Sequence, residues 1–213
     1  MKAKDSQKKP SVGLVFAENK NDADSLAVLA KAIRPGVPPI AHRRRPLVLI
    51  KDRKAAEVKK NAKVIAGIVK AESVRANVKF VIAHQDCDAV EPHEPVADKI
   101  KAAITSEGIE NVIPAAPAWE IEAWWYLWPD AVAGVNSKWR RLTRRANHGL
   151  IINAKESLRR DLRNQGAADY VESDSIKIAN KVFELGIVRR KTGSAPSFDS
   201  FQAEIERIVA ADR

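Results

Sequence analysis

Four short apolar runs punctuate the first 120 residues, and stretches with apolar residues at helical intervals separate them. The runs are "SVGLVFA" (11–17), "LVLI" (47–50), "VKFVIAH" (78–84) and "NVIPAAP" (111–117). Each has the length and the Val, Ile and Leu content of a buried strand. Between the first two, Leu26, Leu29, Ala30 and Ile33 form one helical stripe, which Pro35, Pro38 and Pro39 bring to an end. Residues 54–71 place Ala55, Val58, Ala62, Ile65, Ile68 and Val69 on one face with lysines opposite, and residues 96–108 form a third helix that Gly108 caps. Strands that alternate with helices pair in parallel, because each crossover must pass over a face of the sheet. The expected fold is α/β: a central, mostly parallel sheet of about four strands with helices on both faces.

Beyond residue 118 the pattern is helical, through "AWEIEAWWYLW", "SIKIANKVFELG" and "SFDSFQAEIERIVAA". The expected division is a flexible basic tail (1–10), an α/β core (11–135) and a helical extension (136–213) packed on the core.

In an open parallel sheet the ligand site lies beyond the carboxyl ends of the strands. Glu18 falls at that end of the first run, and Asp86 and Asp88 at that end of the third. Neighbouring strands lie about 4.8 Å apart, so carboxylates from both would share one small volume. Such a group repels itself unless protons or a cation neutralise it, and oxygen donors favour Mg²⁺ or Mn²⁺. Asp22, one turn into the following helix, joins from the same side, with Asp24 as a weaker candidate. Asn19 and Asn21 suit a tight turn, since Asn tolerates left-handed backbone angles. The bland alternative is that Asp86 and Asp88 cap the next helix.

"VFAENKNDADSL" followed by "FVIAHQDCDA" resembles the TOPRIM domain of topoisomerases, bacterial primases and OLD-type nucleases, with "WEIEAWW" and "SFDSFQAEI" similar to segments of small stand-alone bacterial TOPRIM-like proteins. Glu18 matches the family glutamate, Asp86 and Asp88 the Asp-x-Asp pair, Asp22 the extra acid of OLD-type members, and Glu122 the acid of the aromatic segment. Asn19 stands where the family has glycine. The resemblance implies Mg²⁺- or Mn²⁺-dependent hydrolysis of phosphodiester bonds, with Glu18, Asp86 and Asp88 as catalytic residues. Glu18, Asp22, Asp86, Asp88 and Glu122 would bind metal. It further implies a role in phage defence or the handling of foreign DNA. Glu120 and Glu122, two apart on a helix, point to different faces, and Glu122 is the one expected to reach the site.

A formal net charge of +10 favours polyanionic partners, nucleic acid above all, and the resemblance puts DNA ahead of RNA. The basic clusters expected to contact nucleic acid contain Arg43, Arg44 and Arg45, and Arg140, Arg141, Arg144 and Arg145. Lys20 and Lys51 lie near strand ends. The five tryptophans fall between residues 119 and 139, and core packing of Trp124 and Trp128 outweighs base stacking. His84 is read as structural, with ligand orientation or proton transfer as its alternatives, and Cys87 faces away from the aspartates.

Two rival functions remain open at this level: a nucleic-acid-binding or regulatory protein that holds a metal without cutting, and a metal-dependent enzyme on nucleotides or nucleotide-sugars. There is no Gly-rich phosphate loop, so any ATPase would be a separately encoded partner. A homo-oligomer is left open. The lone cysteine, and an amino-terminal stretch without a long apolar run, lead to an expected cytoplasmic location away from membranes.

Overall fold

The computed structural model describes residues 9–40, 48–143 and 145–210. Three parallel strands form the sheet in the order β1 (Ser11–Phe16), β2 (Asn77–His84), β3 (Val112–Ala115). β1 and β2 are direct neighbours, with Phe16 opposite Ala83, and β2 pairs with β3 through His84 and Ala115. Val12 and Gly13 carry a register shift. A Cβ on Gly13 would stand 2.3 Å from the Phe80 ring, so only glycine lets that ring lie across β1.

Alternation along the strands serves two cores. Val15, Phe80, Ile82, Ile113 and Ala115 face one side, where they pack with α1 (Lys20–Ile33), α4 (Glu122–Trp125), α5 (Pro129–Val135), α6 (Ala154–Leu162), α7 (Asp174–Glu184) and α8 (Pro196–Ala210). Leu14, Phe16, Val81, Ala83 and Val112 face the other, against α2 (Ala55–Ser73) and α3 (Glu94–Thr105). Helices therefore cover both faces, as parallel strands require. The segment after residue 135 completes the first core: Leu158, Ile178, Val182, Phe198 and Phe201 are buried in the same cluster as Val15 and Trp124.

The expected strand at 47–50 does not appear. Leu47 lies outside the described residues, and residues 48–50 join no sheet. Their backbone groups are satisfied by side chains instead: the N–H groups of Leu49 and Ile50 donate to Gln85 Oε1 at 3.0 and 3.1 Å, and Asn61 Nδ2 donates to Val48 O at 2.8 Å. Burial of Leu49 explains the apolar run without a ladder. On the outer side of β1 the chain makes one isolated bridge, from Gly13 to Ile40, directly after Pro38 and Pro39. Two prolines lacking N–H groups cannot extend that pairing.

The tryptophan segment is also more broken than one helix. A single turn, Glu122–Trp125, is followed by α5, which restarts at Pro129, a residue suited to the first helical position. Trp124, Trp125 and Trp128 are all buried, so none is free to stack on a base. Among the described residues, no helix is long and apolar enough to cross a membrane. The expected tail at 1–10 falls outside the described residues except for Lys9 and Pro10, which bond to Ser73 and Asn77.

Candidate metal centre

The loop leaving β1 enters α1 through Asn19. Its backbone is extended rather than left-handed (φ −141°), and its side chain accepts from the Asp22 N–H at 3.0 Å, capping the helix. The expected positive-φ turn is thus replaced by an N-cap, a job Asn does and glycine does only weakly. The same amide holds Asp22 by donating from Nδ2 to Oδ2 at 2.6 Å.

On the neighbouring strand, pairing continues past the end of β2. Gln85 N–H donates to Ala115 O, Cys87 N–H to Pro117 O and Asp88 N–H to Trp119 O, each at 3.1 Å. The chain stays extended, so the period of two holds. His84 and Asp86 point to the α1 side, whereas Gln85 binds the 49–51 backbone and Cys87 reaches Ala116 O, both on the α2 side. Cys87 accordingly faces away from its neighbours' site. Asp88 would follow Asp86, but its backbone turns left-handed (φ 49°) and its carboxylate pairs with Lys51 at the mouth of the site. Neither aspartate caps a helix, since α3 begins at Glu94 with His93 as its N-cap.

Asp22, His84 and Asp86 each present a ligand atom within 4.8 Å of the others. His84 Nε2 lies 3.1 Å from Asp86 Oδ1, and Nδ1 lies 3.9 Å from Asp22 Oδ2. Neither contact has the alignment of a hydrogen bond. Both ring nitrogens of His84, together with Asp86 Oδ1 and Glu18 Oε1, are buried without a hydrogen-bond partner among the described residues. Two of these atoms, His84 Nε2 and Asp86 Oδ1, face each other and form an ion pair when the imidazole is protonated. With the imidazole neutral, Asp22, His84 and Asp86 could together hold a divalent cation through carboxylate and imidazole donors.

The titration of these groups reports the same crowding. Burial, then the charge of Asp86, pushes Glu18 up to about 7. Burial raises Asp22 to about 6, with His84 opposing and Asp86 reinforcing. For His84 burial acts downward, but Asp86, Asp22 and Glu18 outweigh it and carry the imidazole to about 9. Behind Asp22 stands Glu122, raised to about 8 by burial and by Glu120. Glu122 is 3% exposed and lies outside the Asp22, His84 and Asp86 triangle. A relay holds it: Trp125 Nε1–H donates to Ser175 Oγ (3.0 Å), Ser175 lies 2.6 Å from the Tyr170 hydroxyl, and Tyr170 donates to Glu122 Oε1 (3.0 Å). Glu120 is used elsewhere, accepting from the Lys155 N–H at 2.9 Å at the start of α6 while Lys155 Nζ pairs with Glu172 at 2.9 Å.

The expected set is therefore brought together in part. Asp22 and Asp86 meet at His84; Glu18 stands outside that triangle, near enough for Asp86 and His84 to shift its titration; Asp88 is adjacent but committed to Lys51; Glu122 forms a second layer. His84, read from the sequence as structural, stands between the two aspartates, and the spacing His-x-Asp on an extended chain is the signal that puts it beside Asp86. Asp24 is bound by Lys20 at 2.7 Å, away from the triangle. Of the arginines, Arg43, Arg44, Arg45 and Arg144 lie outside the described residues. Arg141 pairs with Asp130, Arg145 pairs with Asp161 and lies over the Tyr126 ring, and Arg140 is exposed.

No protein-family model matches this chain, and neither a curated protein nor a solved structure matches it.

All four raised groups favour their protonated forms in the fold, which fixes the sign of a stability effect. Stability contributed by protonated Asp22, Glu18 and Glu122 is present below their unfolded values of 3.8, 4.5 and 4.5. It is lost as pH rises through about 6, 7 and 8 respectively. The His84 contribution is present below 6.5 and lost through about 9. The metal-free protein is expected to lose thermal stability from pH 5 to pH 9. Mn²⁺, which must displace these protons, is expected to raise Tm more at the alkaline end. Differential scanning fluorimetry across that range checks it; a metal-free Tm that climbs with pH would refute the assignment.

Proposed function

We propose that the protein is a divalent-metal-dependent nuclease that hydrolyses phosphodiester bonds of DNA, with RNA as the alternative substrate. The observation that carries this reading is the cluster of Asp22, His84 and Asp86, with Glu18 close enough to feel their charge, at the carboxyl end of two adjacent parallel strands. The TOPRIM-like arrangement of a glutamate after one strand and an aspartate pair after its neighbour supports it, as does the net charge of +10. Asp22 and Asp86 would hold the ion, with His84 or Glu18 beside them. A divalent ion supplies charge that offsets the phosphodiester and makes water a stronger acid.

The chain's own residues do the rest. Glu18, beside Asp86 at the end of β1, would accept a proton from an attacking water. Lys51, half-exposed beside Asp88, offers the phosphate a cation at the site's mouth. Glu122 and the Tyr170 relay fix the wall behind Asp22. The imidazole makes Mn²⁺ a better fit than Mg²⁺, whose preference is for oxygen alone. Incubation of labelled single- and double-stranded DNA and RNA with Mn²⁺ tests the reading. Cleavage that stops with EDTA supports it; intact substrates throughout would leave a metal-binding protein that does not cut. A cytoplasmic role in phage defence, and a separately encoded ATPase partner, belong to the same proposal and follow from the resemblance.

A further inference from the structure

We infer that the lysine face of α2 is the track along which the nucleic acid lies, leading a strand into the metal centre. The inference rests on the nuclease reading and adds where the substrate sits. α2 is 19 residues long, about 28 Å at the helical rise, yet only Ala62 and Ile65 are fully buried. At 100° per residue, Lys59, Lys60, Lys63 and Lys70 share roughly a quarter of the circumference, in a stripe centred about 130° from that buried line. All four are exposed. The acids of α2, Glu57 and Glu72, lie off the stripe, and Glu57 accepts from the Lys54 N–H at 3.2 Å.

Direction gives the stripe its meaning. α2 runs antiparallel to the strands: the segment before it binds Gln85, and Lys51 pairs with Asp88 at the catalytic end, whereas its last turns lead into β2. A polyanion on the stripe would therefore run toward Lys51 and Asp88, at the end of the sheet where the metal centre lies on the opposite face. Arg53, beside the start of α2, and Lys99, across the groove to α3, add exposed charge on the same side. Lys59, Lys60, Lys63, Lys99 and Arg53 make no side-chain ion pair with any described residue. Uncompensated cations at this density suit a phosphate backbone that releases counterions on binding. The groove between α2 and α3 has an apolar floor of Val58, Ala102 and Ala103, which makes an acidic amphipathic protein segment the rival occupant. Its few apolar residues cover only the first half of α2, while the lysines run to Lys70.

The test is the salt dependence of binding of labelled DNA and RNA oligonucleotides in EDTA, which blocks cleavage. Wild type is compared with the triple variant K59Q/K60Q/K63Q. Loss of three phosphate contacts is expected to lower the log–log salt slope by about 2–3 on duplex DNA and to weaken binding about tenfold or more. Thermal melting is expected to stay unchanged, since all three side chains are exposed. If wild type binds and the variant keeps the same slope, the track lies elsewhere and the nuclease reading stands. If wild type binds no nucleic acid, both fall. Tighter binding of polyglutamate than of nucleic acid would make this face a protein dock and overturn the inference.

Discussion

Asp86→Ala is expected to abolish Mn²⁺ binding at the centre and to cut metal-dependent cleavage by about a thousandfold or more. Its carboxylate lies against His84, within reach of Asp22, and it raises Glu18. Charge stabilisation by a bound cation is worth several kcal/mol in the transition state, and each 1.36 kcal/mol is a factor of ten. The same substitution removes a repulsive neighbour from Glu18 and Asp22 and a favourable one from the buried His84 imidazole, effects of opposite sign, so the metal-free variant should melt close to wild type. A loss of activity with a large drop in metal-free Tm would instead mark Asp86 as a structural residue. Isothermal titration with Mn²⁺, set beside fluorimetry, separates the two.

Trp124→Ala is expected to cost about 3–5 kcal/mol, enough to unfold a domain of ordinary stability. The side chain is fully buried, with ring centres 5.3 Å from Phe198 and 5.5 Å from Phe201. Its Nε1–H donates to Ser197 Oγ at 3.0 Å, fastening α4 to the start of α8. Truncation opens a large cavity and removes the shorter of the two N–H bonds to Ser197 Oγ, leaving the one from Ala118 at 3.3 Å. Trp124→Phe keeps much of the volume and should recover most of the stability, whereas a role in base stacking would show as lost binding with unchanged folding. Chemical denaturation followed by circular dichroism distinguishes the outcomes.

Strands flanked by helices on both sides were legible because periodicity alone marks them: β1 and β3 lie within the runs at 11–17 and 111–117, and β2 covers the run at 78–84 with Asn77 added at its start. The run at 47–50 misled because apolar content reports burial, and Leu49 is buried, while pairing depends on where Gln85 and Asn61 place their amides. No local pattern encodes that. Similarly, the adjacency of β1 and β2, which brings Glu18 and Asp22 to Asp86, was an inference from strand order in open sheets and is present in the fold.

The finer electrostatics were less accessible. Asp88 has the residue type and spacing of a ligand, but a left-handed backbone turns it toward Lys51, and residue identity does not report φ. Helical geometry separates Glu120 from Glu122 and the resemblance favours Glu122, yet neither joins the Asp22, His84 and Asp86 triangle: Glu120 holds the first turn of α6 through Lys155, while Glu122 takes its hydrogen bond from Tyr170. Both partners come from more than thirty residues further along the chain. The helical extension is thus part of the centre, since Lys155, Tyr170 and Ser175 fix the wall that its acids lean on.

Anomalous diffraction from crystals soaked in Mn²⁺ shows whether a divalent-metal site lies between the first two strands. An anomalous peak is expected within coordination distance of Asp22 and Asp86, with His84 or Glu18 completing the shell. A map without a peak there, while Mn²⁺ binds at Glu91, His93 and Glu94 or nowhere, would contradict it.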